Sequence, residues 1–209
     1  MIAFDEAIGR LTEVARPIGR ESIPLREAAG RVLAAPVVAM VDSPPADNSS
    51  MDGYAVRDAD LPGALRLIGE SLAGRGFGGI LEAGTCVRIF TGAPVPAGAD
   101  RVVIQEVAVR DGDQVSFAEP PGDPRHIRAQ GSDFRTGETL LEPGRRLDPR
   151  ALVTAAAADV AEVETWRSPG LLLLATGDEL APSGEARRRP GTVPESISAG
   201  VSALAETWG

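Results

Sequence analysis

The chain has 209 residues, 43% of them hydrophobic, with 24 Gly, 17 Pro and a formal net charge of -9. That is enough to bury a core in more than one compact unit, and the Gly and Pro content favours short strands joined by turns over a helical bundle. Net negative charge excludes a duplex-binding surface, and only five Phe, two Trp and one Tyr exclude an aromatic platform for single strands.

Ile8, Leu11 and Ala15 recur at helical spacing and predict an amino-terminal helix that Pro17 ends. A second helix is predicted over residues 25–33, where Leu25, Ala28, Ala29 and Val32 share a face before Pro36. The pattern then shortens: 37–38, 54–56, 65–68, 87–90, 102–104 and 107–109 read as strands, and Asp111-Gly112 marks a hairpin turn into 115–117. Residues 45–136 therefore read as a small all-β unit. Asp148 followed by Pro149 is a capped helix start leading into 151–158, and 160–166 return as a strand. Leu171-Leu172-Leu173-Leu174-Ala175 has the continuous apolarity of a strand buried on both faces of a parallel sheet. Thr176-Gly177-Asp178-Glu179 follow it, at the strand end where open α/β sheets bind ligands. Ile197, Val201, Leu204 and Trp208 then form one helical stripe, making this the first βα unit of a further α/β domain.

Every cation is Arg, a residue suited to planar contact with phosphate or carboxylate, so a local anion site is compatible with the acidic composition. Cys86 is the only cysteine, which excludes an intrachain disulfide and a cysteine zinc site. The acidic start of the chain lacks the features of an export signal, and its longest apolar run is too short to span a bilayer; both point to the cytoplasm.

The most informative stretch is Asp47-Asn48-Ser49-Ser50-Met51-Asp52-Gly53-Tyr54-Ala55-Val56-Arg57. Pro44 and Pro45 stiffen its approach, Asp47, Asn48 and Ser49 bond their own backbone in turns, and Gly53 permits a reversal before a strand. A rigid loop thus presents Asp52 and several hydroxyls at a strand end, where an anion and its metal can be met. Thr91 and Gly92 offer a hydroxyl and an approachable amide after a strand, and Arg128 offers a cationic fork. Taken singly, these are also ordinary turn, strand-exit and cap residues. Cys86 and His126 do not read as a nucleophile and its base, because nothing places them together and Cys86 falls in a strand pattern. Residues 74–79 are glycine-rich but lack the Lys-Ser/Thr ending of a phosphate loop, and read as a hairpin.

The Asp47 to Arg57 loop resembles that of the molybdopterin molybdenumtransferase family, which includes the gephyrin type. The likeness extends in order through Ile89-Phe90-Thr91-Gly92-Ala93-Pro94-Val95-Pro96-Ala97-Gly98-Ala99-Asp100, Ile104-Gln105-Glu106, Ile127-Arg128-Ala129-Gln130-Gly131-Ser132-Asp133 and Thr176-Gly177-Asp178-Glu179-Leu180, and weakens beyond residue 180. The resemblance implies a multi-domain α+β fold. An amino-terminal helix (1–19) would precede a mixed α/β domain (20–44 plus 137–168) carrying an inserted β domain (45–136), and 169–209 would start a molybdopterin-binding-like α/β domain.

The resemblance also implies the last step of molybdenum cofactor synthesis: molybdenum from molybdate enters adenylylated molybdopterin and AMP is released. Mg²⁺ is the implied cofactor, and its preference for carboxylate and phosphate oxygens suits the acidic motif residues. By motif, Asp52, Asp133 and Glu179 are the catalytic residues and Mg²⁺ ligands, and Ser50, Thr91, Gly92, Arg128 and Asp178 bind substrate. The division between metal ligand and general base stays open among the carboxylates. The implied assembly is a homodimer, whose cleft lies between the β domain of one subunit and the third domain of the other.

Three departures stand out. Ala46 replaces an aromatic, Ser50 replaces an alanine, and Val193-Pro194-Glu195-Ser196 replaces an Asp-Ser-Asn-like segment, bringing negative charge where an anionic substrate would approach. Since the chain stops at Gly209, the expectation is little insertion activity by this species alone and self-association through an unfinished apolar edge near 171–174. The competing expectations are a non-catalytic scaffolding module of the same family and an unrelated metal-assisted phosphohydrolase.

Overall fold

The computed structural model describes residues 2–118, 122 and 125–208; the Trp208 side chain of the predicted stripe lies outside the described residues. In chain order the elements are α1 (Phe4–Val14), β1 (Arg20–Pro24), β2 (Val37–Val38), β3 (Asn48–Ser49), β4 (Gly53–Val56), β5 (Gly63–Ser71), β6 (Thr85–Ile89) and β7 (Arg101–Ile104). There follow β8 (Ala108–Asp111), β9 (Gln114–Phe117), β10 (Ile127–Arg128), β11 (Thr139–Leu141), α2 (Pro149–Ala157), β12 (Glu162–Trp166), β13 (Leu180–Ala181), β14 (Val193–Pro194) and α3 (Ile197–Trp208). The chain divides into two units: one holds the chain up to Val37 with Thr139–Ala156 and everything from Val160 on, the other Val38–Glu138 with Ala157–Asp159.

In the first unit, β1 and β12 pair antiparallel from Arg20 opposite Trp166 to Pro24 opposite Glu162. Asp148 caps α2 as its sequence predicts, Oδ1 accepting the Ala151 N–H at 2.8 Å. The helix turns Ala151 and Ala155, four residues apart, into a core with Leu33, Leu147 and Val163. α1 forms where expected but buries none of its residues.

Two expectations in this unit are corrected. The predicted helix over 25–33 is only one 3₁₀ turn, Leu25–Glu27. Gly30 takes a left-handed φ of 78°, and Val32 and Leu33 then bridge Arg146 and Thr165. Tertiary pairing thus overrides the helical spacing. The run Leu171–Ala175 is no buried strand either: Leu172 is 90% and Leu174 83% exposed. An apolar run becomes a strand only where a neighbour completes its backbone bonds, and the parallel pair that does form here is β13 with β14, Leu180 opposite Val193.

The second unit is built on a six-stranded sheet in the order β7-β4-β6-β5-β9-β8, antiparallel except for the β5–β6 pair. The Asp111-Gly112 hairpin joins β8 to β9 as predicted, with Gly112 at a φ of 59°. All four residues of β4 are buried because the sheet is covered on both faces. Alternation sends Tyr54 and Val56 into one core with Leu65, Val103 and Phe117, and Ala55 into another with Val87, Ile89 and Val102. Cys86 is fully buried in β6, and burial pushes its thiol up to about 11. It is a packing residue, as the strand pattern implied.

Candidate functional site

The loop from Asn48 to Asp52 is held from two sides. β3 pairs with β10, placing Ser49 opposite Ile127 and Asn48 opposite Arg128. On its other side the Ser49 carbonyl accepts the Gly92 N–H at 2.8 Å and the Ser49 N–H donates to the Ala93 carbonyl at 2.9 Å. Gly92 has a φ of 80°, a conformation that glycine adopts without strain. Thr91 and Gly92 are thereby gathered with Arg128 along one two-residue strand, although Arg128 lies 36 positions beyond Gly92 in sequence. Ser50 is exposed, and its N–H donates to the His126 carbonyl at 3.0 Å.

Asp52 projects at the start of β4 and meets Thr91 directly. Its Oδ1 accepts both the Thr91 backbone N–H at 2.7 Å and the Thr91 hydroxyl at 2.8 Å. The backbone bond first, then the hydroxyl and the charge of Arg88, hold the Asp52 carboxyl below the usual aspartate range. Among the described residues Oδ2 accepts no hydrogen bond, so a fixed, ionised carboxylate keeps one oxygen available to a ligand. Gly53 is required by close approach: a Cβ there would stand 2.0 Å from the Val103 carbonyl oxygen.

Arg128 and Asp133 form an ion pair, and Asp133 Oδ2 also accepts the Ser43 hydroxyl at 3.2 Å, so both oxygens of Asp133 are engaged. The loop around them is strapped down by Asp42, to which sequence reading gives no role, and by Asp47, whose carboxylate reaches a distant peptide instead of bonding its own backbone as expected. Asp47 Oδ1 accepts the Gln130 N–H at 2.8 Å, while Asp42 accepts the Thr136 N–H and hydroxyl at 2.8 and 2.9 Å and the Gln130 amide at 2.8 Å. Thr136 dominates in holding the Asp42 carboxyl low. Arg128 keeps about half of its side chain in solvent, 52%, as a cation facing outward beside β3.

Asp178 and Glu179 belong to the first unit. Both are exposed. Glu179 folds back over Gly177, whose missing Cβ would fall 2.7 Å from Glu179 Oε1, and its carbonyl accepts the Val193 N–H at 2.7 Å. Two residues past Val193, Glu195 Oε1 accepts the Ile197 and Ser198 N–H groups at 2.8 and 2.9 Å, capping α3 with a carboxylate. Among the described residues, no three His, Cys, Asp or Glu side chains cluster as a metal site. None of the described helices is long and apolar enough to cross a membrane.

Comparison with known proteins shows the family. A family model described as the MoeA N-terminal region (domain I and II) matches residues 2–158. A molybdopterin molybdenumtransferase of Haemophilus influenzae is 38% identical over 189 residues, covering 88% of this chain and 47% of the relative. Molybdopterin molybdenumtransferase 2 of Mycobacterium tuberculosis is 36% identical over 209 residues, covering 97% of this chain and 51% of the relative. The crystal structure of a molybdopterin biosynthesis MoeA protein from Pyrococcus horikoshii matches with a TM-score of 0.86 at 31% identity, over 99% of this chain and 57% of that one. The chain thus spans about half the length of the curated relatives it matches. Matched by the family model over most of its length and by these relatives over nearly all of it, the chain belongs to the MoeA family of molybdopterin molybdenumtransferases.

Proposed function

We propose that this chain takes part in molybdenum cofactor biosynthesis, in the step that inserts molybdenum from molybdate into adenylylated molybdopterin and releases AMP. The observation that supports this most is the Asp52 carboxylate, fixed through one oxygen by Thr91 in a loop that the family model covers. Arg128 beside β3 supplies positive charge for a phosphate oxygen, and the Ser50 and Gly92 segments border the same strand. Asp133 holds Arg128 in place. Asp178 and Glu179 are the further proposed residues, contributed by the other subunit of a cytoplasmic homodimer. The proposed domain division is 1–19, 20–44 with 137–168, 45–136 and 169–209.

The donor chemistry fits Mg²⁺ in one respect. Asp52 presents a hard, ionised oxygen, and Mg²⁺ is commonly held by one or two carboxylates with substrate phosphates completing its shell. Asp52 is the residue here that would hold it, with Asp133 and Glu179 as the further proposed ligands. When bound, the ion would offset charge on the phosphoanhydride.

A second reading, a non-catalytic scaffold, is favoured by Glu195, whose carboxylate takes up the α3 N-terminus. Titrating adenylylated molybdopterin with Mg²⁺ into the chain by calorimetry separates the two. The catalytic reading expects saturable heat, with affinity lowered about tenfold in Asp52→Ala, the loss of one charge-assisted contact. No heat from the unaltered chain at millimolar ligand supports the scaffold.

A further inference from the structure

Arg88 is a charged side chain for which motif matching gives no role, and it is among the most constrained in the second unit. It lies on β6 opposite Tyr54 of β4. Its guanidinium sits 5.1 Å from the Tyr54 ring centroid and 4.8 Å from that of Phe90, so an aromatic face on β4 and another just past the end of β6 fix its plane. Nη1 donates to the Gly53 carbonyl at 3.0 Å and Nη2 to Gln105 Oε1 at 2.5 Å. Gln105 in turn donates its backbone N–H to the Asp52 carbonyl at 3.1 Å. The carbonyls of Asp52 and Gly53 are therefore both tied, that of Gly53 by Arg88 and that of Asp52 by the residue that Arg88 grips.

We propose that Arg88 is a positioning residue for Asp52: clamped between Tyr54 and Phe90, it fixes the strand end from which the carboxylate reaches Thr91. This rests on the reading of Asp52 as a ligand-binding group. A planar fork is needed because two acceptors and two ring faces must be met at once. A lysine would retain charge but not that geometry. Gln105 belongs to the same device as the second anchor of the fork.

The test has two arms. In the first, amide hydrogen exchange of the Thr91 N–H, bonded to Asp52, is followed by NMR in the unaltered chain, Arg88→Met, Arg88→Lys and Gln105→Leu. Exchange at Thr91 is expected to rise about tenfold in all three while the β9 amides hold their protection. Unchanged exchange at Thr91, or equal loosening of β9, overturns the proposal; Gln105→Leu provides the same reading should Arg88→Met not fold. In the second arm, adenylylated molybdopterin with Mg²⁺ is titrated into Asp52→Ala and the Asp52→Ala/Arg88→Met double variant. Equal affinities are expected, since Arg88 acts through Asp52; a further drop means that Arg88 touches the ligand itself and overturns the positioning role. If the unaltered chain does not bind, the proposed function fails, and the exchange result alone decides the role of Arg88.

Discussion

Thr91 directs both of its donors, the backbone N–H and the side-chain hydroxyl, at a single oxygen of Asp52. The two bonds are separable by mutation. Thr91→Val removes the hydroxyl and leaves the backbone donor, so the Asp52 carboxyl should titrate nearer the ordinary aspartate value of 3.8 without reaching it. A carbon-detected NMR titration of Asp52 measures the midpoint. An identical midpoint in the variant would show that the hydroxyl contributes nothing to the anion.

Asp42, Asp52, Asp58 and Asp148 all have carboxyls held below the ordinary aspartate value, chiefly by Thr136, by Thr91, by Arg101 and by the Ala151 N–H respectively. A depressed folded-state value means that the unfolded chain takes up protons first as pH falls. The stabilisation is complete above the unfolded value of 3.8 and fades as pH drops through the lower folded values. Urea midpoints should therefore be level near neutrality and decline steeply below about pH 4. Asp42→Asn should flatten part of that decline. A midpoint that stays constant down to about pH 2.5 would falsify the assignment.

Arg101 is 5% exposed and donates from Nε to Asp58 Oδ1 at 2.5 Å and from Nη1 to the Gly122 carbonyl at 2.8 Å. Asp58→Asn leaves the buried guanidinium with a neutral partner. Stability should fall by about 2 kcal/mol, the scale of a lost charged hydrogen bond to a buried cation. Chemical denaturation reads this directly. A loss indistinguishable from that of an exposed pair such as Arg75–Glu70 would contradict the buried role.

Leu172 and Leu174, at 90% and 83% exposure, place two large apolar side chains in solvent. Self-association at high concentration is expected, and Leu172→Glu with Leu174→Glu should remove it. Light scattering across a concentration series checks both. A monomer at every concentration before mutation, or an oligomer that survives the pair of charges, would refute this.

Strand positions in the second unit were legible because alternation and turn chemistry are local: Asp111-Gly112 alone specifies the β8–β9 hairpin. The capped start of α2 was legible for the same reason. Leu25 to Leu33 misled because helical spacing there reflects contacts to Leu147 and Val163, residues far along the chain. Leu171 to Ala175 misled because apolarity alone does not supply a neighbouring strand. At the site, motifs pointed to Asp52, Thr91 and Arg128 but not to Asp42 or Arg88. These two act by holding backbone, and a single sequence does not reveal which distant peptide a side chain grips. Gln105 stood inside a recognised motif, and its double tie to Asp52 and Arg88 gives that motif a physical reason.

With the Val103 oxygen only 2.0 Å from where any side chain at 53 would begin, a residue other than glycine there would force β7 away from β4 and break their pairing. A combinatorial library randomised across the loop should thus yield folded survivors varied at Met51 and uniformly glycine at 53. Redesign for another ligand would have to vary the residues flanking Gly53 and leave that glycine untouched.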